Sequence, residues 1–128
     1  KSSGPEDLER ARRMAELADV VVFASFSRAL PWKGALGLPE EVAELASHLS
    51  GMGAAVISFG DPYLLRQLPA VETYLLAWSP AEASQEAAAA AVAGEVPITG
   101  RLPIELPSGY PVGHGILVPA LPGFTTAN

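Results

Sequence analysis

The chain has 128 residues, 49% of them apolar and 17% charged, with eight basic residues against fourteen acidic ones for a net charge of −6, and no cysteine. Such a length and apolar content suit one folded domain, residues 1–128, and lie far from the disordered regime. The acidic balance disfavours nucleic-acid binding, the missing cysteines remove disulfides, thiolate metal sites and cysteine nucleophiles, and no apolar run approaches the ~20 residues of a membrane span.

From Pro5 to Ala18 the small or apolar residues Leu8, Ala11, Met14, Ala15 and Ala18 recur at helical spacing between charged ones, which predicts an amphipathic helix. Pro5 suits its first turn, and Glu6 and Asp7 complement the positive end of its dipole. The run Val20 to Ala24 is continuously apolar and rich in β-branched residues, as in a strand covered on both faces of a parallel sheet. Ser27 to Leu38 has Pro31, Gly34 and Gly37 and no periodicity, so it reads as a long loop at the carboxyl end of that strand.

Pro39 opens a second helix with Val42, Leu45, Ala46 and Leu49 on its apolar face, stopping near Gly51 and Gly53. A buried strand is expected at Ala54 to Phe59. Asp61 and Pro62 then form an N-cap and first-turn pair for a short helix through Leu68. Thr73 to Trp78 reads as a third strand, with Trp78 in the core. Ser79, Pro80 and Glu82 spell a capping box ahead of an alanine-rich helix from Ala81 to Ala93, which Gly94 ends. Prolines at 97, 103, 107, 111, 119 and 122 forbid a long helix beyond it and suit extended segments.

Helix and strand alternate, which predicts an α/β fold: a three-layer α/β/α sandwich with a mainly parallel sheet, flavodoxin-like or Rossmann-like, and a proline-rich extended C-terminal segment. The opening helix leads in from something that precedes it. Nothing near Lys1 has the charged-then-apolar layout of a signal peptide, and the chain reads as a piece of a longer protein.

Four blocks in order carry a resemblance: Ala18 to Val22; Ser58-Phe59-Gly60-Asp61-Pro62-Tyr63; Tyr74 to Ser79, leading through Gln85-Glu86-Ala87-Ala88 to Gly94; and Ile98-Thr99-Gly100-Arg101-Leu102-Pro103. With the tail Tyr110 to Ile116, the chain resembles the C-terminal domain of glycoside hydrolase family 3, most closely its bacterial β-N-acetylhexosaminidase-like branch. The resemblance implies an accessory sandwich domain that follows a catalytic TIM barrel and lies near its active site, with that barrel and a carbohydrate as partners and no cofactor. It also implies a nucleophilic aspartate on the barrel, in a Ser-Asp segment that these residues lack.

In the glucosidase-like branch the general acid is a glutamate in the loop after the first sandwich strand. Here that loop, Ser27 to Leu38, holds no Asp or Glu, and Pro31-Trp32-Lys33-Gly34 stands where the glutamate-bearing segment is expected. This departure fits the hexosaminidase-like branch, whose proton donor is a His-Asp pair on the barrel.

Retaining hydrolysis of a glycoside needs two carboxyl groups about 5 Å apart. Glu40, Glu41 and Glu44, like Glu6, Asp7 and Glu9, fall on solvated helix faces. Asp61 is at the carboxyl end of a strand, where open α/β sheets bind ligands, but Pro62 after it favours a capping role. No catalytic residue is assigned. Candidates for contact with substrate or a neighbouring domain are Ser27, Arg28, Trp32, Lys33 and Asp61, of which Trp32 and Lys33 offer an aromatic face and a cation.

His48 and His114 have no partners at metal-ligand spacing, and Arg101 reads as a structural contact. The alternative to an accessory glycosidase domain is a stand-alone small-molecule-binding or regulatory module with a flavodoxin-like sheet.

Overall fold

The computed structural model of the chain describes residues 4–26 and 37–123. Helix α1 spans Pro5–Leu17, strand β1 Val22–Ser25, helix α2 Glu40–Gly51, strand β2 Ala55–Ser58, a 3-10 helix Pro62–Gln67, strand β3 Thr73–Leu76 and helix α3 Glu82–Val92. The three strands form one parallel sheet in the order β1-β2-β3, with Phe23 beside Val56 and Val56 beside Tyr74. The α/β class and its parallel sheet are therefore as the alternation of periodicities predicts.

Side chains paired across a parallel ladder share a face. Phe23, Val56 and Tyr74 point to one side, where Ala46, Leu64 and Leu68 meet them, and Ala15, Leu45, Leu49 and Ala54 extend the same layer. Thus α1, α2 and the 3-10 helix all cover one face. Ile57 and Leu75 point to the other side, against Ala88 of α3. That second layer is incomplete among the described residues: on β1 Val22 is 42% exposed, and Ala24 and Phe26 are exposed with it. Val20 to Ala24 has the composition of a strand covered on both faces, but the described residues cover only one.

Two further expectations need correction. Glu82 and Ser79 do not close a capping box; the Ser79 hydroxyl accepts from the amide of Ala81 at 3.1 Å, which turns the chain once more, and α3 starts at Glu82 with Ala81 as its uncapped N-cap. Trp78 is not in the core but 43% exposed, with a left-handed φ of 63°.

Gly94 does end α3: at φ +79° it lets its own amide reach Ala91 O at 3.1 Å and the Glu95 amide reach Ala90 O at 2.9 Å. Beyond it the chain runs out and back as an extended ribbon. Ile98 bridges Val118 and Leu106 bridges Tyr110, both antiparallel, with Pro107, Ser108 and Gly109 at the tip. Gly115 has to be small, because a side chain there would strike the carbonyl of Gly100 in the facing arm. No helix among the described residues is long and apolar enough to cross a membrane.

Candidate functional site

The carboxyl ends of β1, β2 and β3 lie along one edge of the sheet, the place where open α/β folds bind ligands. Ser25 and Ser58 are side by side there and buried. One residue on, the rings of Phe26 and Phe59 stack at 4.6 Å between centroids and 3° between planes. Phe59 is buried and Phe26 half exposed, so one aromatic face is anchored and the other is presented at the rim. Trp78 follows β3 on the same edge. Its left-handed backbone costs about 1 kcal/mol or more for a bulky residue, so the surrounding turn must hold it.

Asp61 is 2% exposed and is the buried carboxylate of this edge. Its Oδ1 accepts the Tyr63 amide at 2.9 Å, capping the 3-10 helix, while its own carbonyl accepts the Ser58 hydroxyl at 2.6 Å. This is the geometry that the Asp-Pro pair predicts for a cap, and it commits one carboxylate oxygen to the backbone. Beneath it, Tyr74 Oη donates to Pro62 O at 3.2 Å. Burial pushes the Tyr74 phenol up to about 12; the Asp61 charge adds to the rise and a hydrogen bond with Ser58 opposes it. Ser58, Asp61, Pro62 and Tyr74 therefore form one polar tie between β2, the 3-10 helix and β3.

Just ahead of α2, Gln67 grips the chain at Leu38 from the end of the 3-10 helix. The Leu38 amide donates to Gln67 Oε1 at 2.8 Å, and Gln67 Nε2 donates to Leu38 O at 3.2 Å. Gly37 is at φ +107°, and a Cβ there would push the Gln67 amide out of the position from which it bonds Leu38. Of the five candidates named from sequence, Asp61 is placed at the strand-end rim; Ser27, Arg28, Trp32 and Lys33 lie outside the described residues. Phe26, Gln67 and the exposure of Trp78 were not anticipated. A side-chain grip between residues 29 apart leaves no local signal, although three aromatics within two residues of strand ends do.

Among the described residues no cluster of three His, Asp or Glu side chains is arranged to hold a metal ion. His114 is exposed and tilts against Tyr110 at 5.1 Å, and His48 is exposed on α2. Glu40, Glu41 and Glu44 are solvated, and Arg101 Nη1 donates to Gly113 O at 3.4 Å across the ribbon. Two shallow hollows lie along α1 and between α1 and α2, lined largely by Glu6, Glu9, Arg10, Arg12, Arg13 and Glu44, away from the strand ends. In comparisons with known proteins, no family model, no curated protein and no solved structure matches the chain.

Proposed function

We propose that the chain is the accessory α/β domain of a family 3 glycoside hydrolase of the β-N-acetylhexosaminidase-like type, packing on a catalytic barrel and helping to shape its active site. The observation that carries the reading is the apolar surface the domain leaves open. Ile116, Leu117 and Val118 are consecutive and 72%, 63% and 44% exposed, and Val112 and Leu121 extend the same arms of the ribbon. Large apolar side chains left to water this close together along one segment are what a neighbouring domain would bury.

The arrangement of carboxylates supports the same assignment. Asp61 is engaged as a cap, and the glutamates of α2 are spread over a solvated face, so acid–base work is assigned to the barrel. The full three-layer sandwich belongs to this proposal as well, since the open face of β1 is where its second layer would continue. A stand-alone small-molecule module is the second reading, favoured by Trp78, strained and exposed at the ligand end of the sheet.

Titrating the purified chain onto a family 3 N-acetylhexosaminidase barrel by calorimetry separates the two. The accessory reading predicts saturable association that weakens when Ile116 and Val118 are changed to Lys. No association with the barrel, together with saturable binding of a nucleotide or phosphate by the chain alone, would favour the stand-alone module.

A further inference from the structure

Among the described residues, strand β1 is an edge strand whose sequence is that of an interior one. The bonds from Ala55 N to Val21 O and from Phe59 N to Ser25 O show that the odd-numbered residues of β1 face β2. In a parallel ladder the alternate residues then direct both their N–H and C=O away, so Val22 and Ala24 aim a donor and an acceptor each at the open edge. Natural edges are blunted by charge, proline or a bulge. Between Val20 and Phe26 there is no charged residue and no proline. Val20 is 77% exposed and Phe26 50%, so a face of the same strand is open as well as its edge.

Topology says what fills it. The connection from β1 to β2 passes through α2 on one face of the sheet, and the connection from β2 to β3 passes through the 3-10 helix on that same face. Parallel crossovers are right-handed almost without exception, and connections of one hand on one face step in one direction across the sheet. Helix α1 lies on that face too, since Ala15 packs with Leu45, Leu49 and Ala54 and is joined by Val21 and Phe23. A strand leading into α1 therefore belongs one step before β1, at the open edge.

We infer that the open edge of β1 is the seat of a further parallel strand, apolar and extended, carried by polypeptide that leads into α1. That strand bonds to the outward groups of Val22 and Ala24. Helices on a sheet are about 10 Å apart and strands about 4.8 Å, so one helix covers two strands and α3 cannot reach β1 as well. This inference does not depend on the glycosidase reading, and its test reads a sheet edge and not a sugar.

Amide hydrogen exchange, residue by residue, tests it on the full chain and on the chain extended before Lys1 by a strand of about seven alternating Val and Thr residues and a short Gly-Ser joint. In the unextended chain Val22 and Ala24 are expected to exchange quickly while Ile57 is protected. The extension is expected to slow both by about ten-fold or more, and a version with two prolines in the added strand to slow neither. Ala24→Pro, which removes only an outward amide, is expected to cancel the gain at Val22.

Three results would overturn the inference: protection of Val22 and Ala24 equal to that of Ile57 before any extension, protection that grows with protein concentration and so marks a second copy at the edge, or no change on extension.

Discussion

Replacing Asp61 separates a capping carboxylate from a ligand-binding one. Asp61→Ala removes the acceptor that holds the Tyr63 amide at 2.9 Å and leaves that partly buried N–H without a partner. Loss of such a cap costs about 1 to 2 kcal/mol, the upper end applying because the site is buried. Asn ranks with Asp as a cap, so Asp61→Asn is expected to cost less than about 0.5 kcal/mol. With a urea m-value of about 2 kcal/mol/M for a domain of this size, the Ala variant should unfold at a midpoint about 0.5 to 1 M lower, and the Asn variant close to the parent. Both variants should lower the pKa of Tyr74, since the Asp61 charge is one of the causes that raise it. Equal destabilisation by Ala and Asn would refute the capping argument, and so would an unchanged midpoint for Ala.

Two other perturbations probe the same edge. The Tyr74 phenol is neutral in the fold and its pKa is raised from 10.0 to about 12, so its stabilising effect is complete below pH 10 and is lost as pH rises through 12. The parent should therefore lose about 1 to 2 kcal/mol relative to Tyr74→Phe between pH 10 and 12, a figure already reduced for partial exposure, with urea titrations at each pH as the check. Gly37→Ala should cost about 2 kcal/mol by chemical denaturation, from its left-handed φ and its collision with Gln67. In a Gln67→Ala background that penalty should fall to about 1 kcal/mol, because the collision is gone and the backbone term remains.

The sequence reveals most where signals are local. Asp61-Pro62 predicts a cap, and the carboxylate is on the Tyr63 amide; Gly94 predicts a helix end, and it takes the left-handed turn there. Ser79 shows the limit of such signals. It has the spacing of a capping box, but an equally local bond to the Ala81 amide competes and wins, displacing the start of α3 to Glu82. Val20 to Ala24 reads as a strand buried on both faces because composition reports what a segment is suited to, whereas exposure depends on which neighbours are present. The Gln67 grip on Leu38 joins residues 29 apart, and only the packed fold brings them together. Nothing local marked Trp78 as exposed, since an aromatic ending an apolar strand is ordinarily core.

The accessory role is tested most directly by activity. A chromogenic N-acetylglucosaminide is offered to the chain alone, to a family 3 barrel alone, and to the two together. The proposed accessory role predicts no turnover by the chain and a faster, tighter reaction by the barrel when the chain is present; turnover by the isolated chain, or a barrel indifferent to it, would contradict it.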